Sequence, residues 1–172
     1  MAIEQFQHIT TFVFDVDGVL TDGNLWLLPG GVQVRKMNIR DGYALQLAIK
    51  KGYRIFILSG AVSEESRDRL LKLGISDIQM GIRDKASALN LYMQQNSIEI
   101  SSVLYMGDDI PDLAAMQLVG FSCCPVDAAP EIKKISQYIS PFSGGTGCVR
   151  DVVEKVLKLR GDWGDDTSVP SV

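Results

Sequence analysis

The chain has 172 residues, 46% hydrophobic and 22% charged, the composition of one soluble globular domain with room for a good core. Its net charge of -4 argues against nucleic acid as the main partner, but not against an anionic substrate, since a divalent cation reverses the local sign. No apolar run reaches membrane-spanning length, the N-terminus lacks signal-peptide order, and Cys123, Cys124 and Cys148 have no metal-site spacing, so no membrane partner and a cytoplasmic location are expected.

In chain order, the first apolar strand is Thr11–Phe14, and it runs into Asp15-Val16-Asp17-Gly18-Val19-Leu20-Thr21. Carboxylates are depleted from strands, and adjacent ones repel. Two of them at a strand's C-terminal edge point to a cation site or a catalytic pair. Next, 24–28 and 32–38 flank Pro29-Gly30-Gly31 and predict a β-hairpin. Its Leu25, Trp26, Leu27, Leu28, Val32 and Val34 exceed what a solvated hairpin needs. Either the hairpin folds back on its own domain or it meets another subunit, the latter being the expectation.

Beyond the hairpin, helical segments at 41–51, 63–73, 85–96, 111–118 and 129–135 alternate with apolar strands. Those strands are Arg54–Leu58, 77–80, Val103–Met106, 120–123 and 138–140. The last helix is marked by Val149, Val152, Val153, Val156 and Leu157 at helical spacing. Strands apolar on both faces, separated by helices, predict a doubly wound parallel α/β sheet of the Rossmann-like kind. Such sheets bind ligands beyond the carboxyl ends of their strands. One domain over 1–160 and a flexible tail over 161–172, with Trp163, Asp165 and Asp166, complete the expected organisation.

Four places at strand ends carry the chemistry. They are Asp15/Asp17; Ser59-Gly60 after Ile55-Phe56-Ile57-Leu58; Lys85 opening a helix; and Gly107-Asp108-Asp109-Ile110-Pro111-Asp112. A hydroxyl with free backbone N–H groups suits a phosphate. Singly, each has a plainer reading as a turn, a surface lysine or a helix cap. Their order at successive strand ends is much harder to obtain by accident. His8 lies far from every motif.

In that order and context the segments resemble the haloacid dehalogenase superfamily of phosphotransferases, over about 12–159 of the chain. The resemblance implies that Asp15 is the nucleophile, forming an aspartyl phosphate, and Asp17 the general acid and base. It further implies Mg²⁺ held by Asp15, the Asp17 backbone carbonyl and Asp108. Ser59, Gly60 and Lys85 would hold the phosphoryl oxygens, with Asp109 and Asp112 supporting them. The gaps between motifs have no room for a cap domain, so a neighbouring subunit is expected to enclose the site.

Within the superfamily the chain most resembles the tetrameric 3-deoxy-D-manno-octulosonate 8-phosphate phosphatases of lipopolysaccharide sugar synthesis. The segments that carry this are 14–23, Asn38-Ile39-Arg40-Asp41-Gly42-Tyr43, Tyr105-Met106-Gly107-Asp108-Asp109 and Gly144-Gly145-Thr146-Gly147. It implies a phosphorylated sugar acid as substrate, contacts from Asn38, Ile39, Arg40, Asp41, Gly42 and Arg69, and a homotetramer built through the hairpin. Two positions depart from the pattern: Ala61 and Thr146 stand where many members have arginine, the usual bidentate partner of a carboxylate. Arg67 or Arg150 could substitute, or the substrate could be a nine-carbon sialic-type sugar acid 9-phosphate. A phospho-receiver signalling domain is the alternative of a different class.

Overall fold

A computed structural model describes residues 2–164 and 166–170. Its strands are β1 (Thr11–Phe14), β2 (Trp26–Leu28), β3 (Val32–Val34), β4 (Arg54–Leu58), β5 (Asp77–Gln79), β6 (Val103–Met106), β7 (Phe121–Cys124) and β8 (Tyr138–Ile139). The helices are α1 (Ala2–Phe6), α2 (Ile39–Lys50), α3 (Glu64–Lys72), α4 (Lys85–Gln95), α5 (Leu113–Met116), α6 (Pro130–Ile135) and α7 (Cys148–Leu159). Six strands pair in parallel in the order β5-β4-β1-β6-β7-β8, which confirms the doubly wound sheet. No cap domain is present among the described residues.

Period-two alternation explains why the strands are apolar throughout. Phe12, Phe14, Ile55, Ile57, Leu104 and Met106 face one core, shared with α2 and α7. Val13, Phe56, Leu58, Val103 and Tyr105 face the other, shared with α4, α5 and α6. β1 lies between β4 and β6, where the chain winds outward in both directions. A crevice opens at such a switch point, beyond the strands' carboxyl ends. Asp15 is the first residue past β1, so it enters that crevice by topology alone.

Helix starts follow from capping side chains. Asn38 accepts from the Arg40 N–H at 2.8 Å, Ser63 from Ser66 at 3.2 Å and Asp84 from Ser87 at 3.0 Å. α7 begins after Gly147 and is capped from elsewhere: the Arg150 N–H donates to Asp41 Oδ1 of α2 at 2.7 Å. Its predicted apolar stripe is fully buried.

Some elements differ from expectation. The segment 111–118 begins as a 3-10 turn over Ile110–Asp112 before α5, with Pro111 in the first turn, where no helical hydrogen bond is required of its nitrogen. α1 was not expected from the sequence; its Phe6 packs edge-on against Phe121 at 4.6 Å. The hairpin forms, with β2 and β3 antiparallel and Gly30 and Gly31 at φ 82° and 81° in its turn. Its apolar face is not packed on its own domain: Trp26 and Leu27 are 68% and 75% exposed.

The described part of the tail makes specific contacts with the domain. Tyr53 Oη donates to Asp162 at 2.6 Å, Lys50 pairs with Asp166 at 2.7 Å, and Trp163 lies edge-on to Tyr43. An aromatic ring and two acids matched to partners on and just beyond α2 supply the anchoring that a polar composition hid. Asp165 and residues 171–172 lie outside the described residues. Among the described residues no helix is long and apolar enough to cross a membrane.

Candidate active site

Residues from four strand ends meet in one open cavity of about 310 Å³, lined by Asp15, Asp17, Ser59, Gly60, Lys85 and Asp108 among others. Asp15 is nearly buried, and its N–H donates to Met106 O at 3.1 Å, which fixes its backbone to β6. The chain then turns through Gly18 at φ 89°. A Cβ there would also lie 2.0 Å from Asp108 Oδ2, so glycine is needed both for the turn and for the acidic loop's approach. Behind this turn stands the late glycine-rich loop. The Gly145 N–H donates to Val19 O at 2.9 Å, and a Cβ on Gly144 would lie 2.0 Å from Gly18 O.

Lys85 opens α4 and points inward, its Nζ 2.9 Å from Asp15 Oδ1 and 2.7 Å from Asp112 Oδ1. Burial works against its charge, but the two carboxylates outweigh this and hold its pKa above the ordinary lysine value. Asp112 ties the site together. Its Oδ1 accepts from Lys85 and from the Tyr105 hydroxyl at 2.8 Å, and its Oδ2 accepts from the Asp108 N–H at 3.1 Å. Ser59 is buried, with its Oγ accepting from the Ala61 N–H at 3.2 Å.

The acids outnumber the single lysine. Burial, and then the Asp112 charge, push Asp15 up to about 7 despite Lys85. Burial, followed by Asp15 and Asp112, pushes Asp108 up to about 8. Oxygens of Asp15, Asp108 and Asp112 lie within 4.8 Å of one another, and Asp108 Oδ1 is buried without a hydrogen-bond partner. A buried, unpartnered carboxylate oxygen among crowded acids is the donor set of a hard divalent cation such as Mg²⁺, so the residues fit that ion. Both Asp112 oxygens already accept hydrogen bonds, which leaves Asp15 and Asp108 as the carboxylates available to it.

The expected substrate contacts are placed differently. None of Asn38, Ile39, Arg40, Asp41, Gly42 and Arg69 lines the cavity that holds Asp15. Asp41 is 1% exposed; its Oδ1 caps α7, and its Oδ2 is buried without a hydrogen-bond partner. Gly42 makes room for Arg69, whose terminal nitrogen would be 3.1 Å from a Cβ there. Arg69 lines a separate cleft with Arg35, and Arg40 lines another with Thr146 and Arg150. Of the proposed substitutes, Arg67 donates to Ile78 O at 3.4 Å and Arg150 pairs with Glu154 at 3.0 Å. Sequence reasoning missed Arg35, which reaches Asp17 from just beyond β3 at 2.8 Å; its only sequence signal is a cation two residues before Met37, at the base of the hairpin.

The parallel sheet and the acids, hydroxyl and lysine at its strand ends define a class, and a family model described as haloacid dehalogenase-like hydrolase matches residues 72–149. The 3-deoxy-D-manno-octulosonate 8-phosphate phosphatase of Escherichia coli (strain K12) is 31% identical over 159 residues, covering 92% of this chain and 85% of that protein. The crystal structure of the phosphatase of that name from Moraxella catarrhalis, in complex with magnesium ion, phosphate ion and KDO, is 34% identical with a TM-score of 0.90, covering 94% and 92%. That of the Yersinia pestis phosphatase is 30% identical with a TM-score of 0.91, covering 94% and 87%. The chain belongs to the 3-deoxy-D-manno-octulosonate 8-phosphate phosphatase family of haloacid dehalogenase-like hydrolases. That membership sets the receiver-domain alternative aside.

Proposed function

We propose that this protein is a Mg²⁺-dependent phosphatase that converts 3-deoxy-D-manno-octulosonate 8-phosphate and water into the free sugar acid and phosphate. The observation that carries the reading is the meeting of Asp15, Lys85 and the unpartnered Asp108 oxygen in one cavity, in a chain of this family. Asp15 attacks phosphorus in line, its oxygen forming the new P–O bond as the bond to the sugar oxygen breaks. Asp17 gives its proton to the departing sugar oxygen, then takes one from the water that cleaves the aspartyl phosphate. Lys85, Ser59 and the Gly60 backbone orient the phosphoryl oxygens, while Asp109 and Asp112 hold the loop and Lys85 in place. Asp15, Asp108 and the Asp17 carbonyl would hold Mg²⁺, which would supply the positive charge that lets an anionic nucleophile meet an anionic phosphate.

Comparing kcat/KM on the eight-carbon and nine-carbon sugar acid phosphates tests the substrate. Preference for the eight-carbon ester is expected, and a clear preference for the nine-carbon ester would overturn it. Ala61 and Thr146 bring no guanidinium to a substrate carboxylate, and this departure from the family pattern is why the nine-carbon ester is the comparison substrate. The cytoplasm, where sugar precursors are made, is the proposed location.

The cavity is open and the hairpin's apolar face is uncovered, which supports a homotetramer assembled through β2 and β3, with neighbours enclosing each site. Leu27→Asp places a charge where 75% of the residue is exposed in one subunit. Sedimentation is expected to find smaller species for this variant, with kcat/KM on the sugar acid phosphate reduced about 10-fold or more through loss of enclosure. An unchanged mass would remove the hairpin from the interface.

A further inference from the structure

The hairpin carries two adjacent cations with opposite environments. The Lys36 side chain is 68% exposed, whereas that of Arg35 is 6% exposed. A withdrawn guanidinium needs a partner, and among the described residues Asp17 is the only one Arg35 has. Nε donates to Asp17 Oδ1 at 2.8 Å, and a terminal nitrogen reaches Oδ2 at 3.4 Å.

Arg35 is held from both sides. Val34, before it, pairs with Trp26 across the hairpin, and Met37, after it, bridges to Thr21. Thr21 closes the ring, its Oγ1 donating to the same Asp17 Oδ1 at 3.4 Å. Asp17, by contrast, precedes the turn at Gly18, and its side chain is 34% exposed. Without Arg35 its carboxylate would be held by one long hydroxyl contact. Oδ1 accepts both donors, which leaves Oδ2, with only the longer contact, as the oxygen to carry the transferable proton.

We propose that Arg35 is a positioning residue for the acid/base carboxylate, aiming Asp17 Oδ2 at the leaving oxygen and joining the hairpin to proton transfer. This rests on the acid/base reading of Asp17 above. A donor must lie within hydrogen-bond reach of the oxygen it protonates, and misplacement by about 1 Å lowers rates roughly 10²-fold.

The test is leaving-group dependence. kcat/KM covers the steps up to departure of the alcohol; p-nitrophenolate leaves without a proton, whereas the sugar alkoxide needs one. Arg35→Met is expected to lower kcat/KM about 10²-fold on 3-deoxy-D-manno-octulosonate 8-phosphate and only about 3-fold on p-nitrophenyl phosphate. The ratio of the two is independent of how much enzyme is folded. Arg35→Lys, a milder change that keeps the cation, is expected to return the ratio to within about 3-fold of the parent value. An unchanged ratio in Arg35→Met, or a ratio in Arg35→Lys as low as in the methionine variant, overturns the proposal. Asp17→Asn on the same two esters separates the failures. If it leaves the ratio intact, the acid/base reading falls; if it collapses the ratio while Arg35→Met does not, only the positioning role falls.

Discussion

Replacing Asp15 by asparagine is expected to lower kcat by about 10⁴-fold or more while leaving the fold intact. The amide keeps the shape but offers no anionic oxygen to phosphorus, and no aspartyl phosphate can form. The same change is expected to raise the melting temperature of the metal-free protein at pH 8 by roughly 5 °C or more. In the parent, a nearly buried carboxyl with its pKa pushed up to about 7 is ionised at that pH next to Asp108 and Asp112. Asparagine removes that repulsion and leaves Lys85 paired with Asp112 at 2.7 Å. Phosphate release and calorimetry on one preparation check both halves. Turnover within about 10-fold of the parent would remove Asp15 as nucleophile, and a lower melting temperature would show that its pairing with Lys85 outweighs the crowding.

Without divalent cation, the melting temperature is expected to fall as pH rises from 5 to 9. Asp41, Asp15 and Asp108 have pKa values raised from 3.8 to about 6, 7 and 8, in each case through burial first. The folded state therefore binds more protons than the unfolded chain in this range. By linkage, the stability these groups contribute is complete below their ordinary pKa and is lost as pH climbs through the raised values. Added Mg²⁺ is expected to reverse most of the loss above pH 7, because at Asp15 and Asp108 the cation takes the place of protons, and its advantage grows as protons become scarce. Asp41→Asn should flatten only the part near pH 6, since Asp41 caps α7 and is remote from the cation. Melting curves that coincide with and without Mg²⁺ at every pH would remove the ion from the cluster.

What could be read from the chain, and what could not, follows the range of the interactions. Asp15, Ser59 and Asp108 each follow a strand by one or two residues and Lys85 is the first residue of α4, so local patterning located them and the parallel topology brought them together. The doubly wound sheet was equally legible, because apolar residues on both faces of a strand demand helices above and below. Arg35 was not, since its pairing with Asp17 exists only after the hairpin turns back past the loop that follows β1. The capping role of Asp41 was hidden for a related reason: nothing near it in sequence reveals that the N-terminus of α7 will arrive above it. The tail looked featureless by composition, yet Trp163 and Asp162 find Tyr43 and Tyr53 more than a hundred residues away.

The contact between Gly145 and Val19 has a consequence for how the enzyme comes into being. Asp15 leaves the ribosome long before the backbone that props its loop, Gly144 to Cys148. Synthesis runs in one direction, and the central strand can be in place before the glycine-rich loop has been made. A nascent or prematurely terminated chain would thus carry Asp15 on a loop with nothing behind it. Arrival of the late glycine-rich loop, rather than appearance of Asp15, marks the moment the site acquires its working shape.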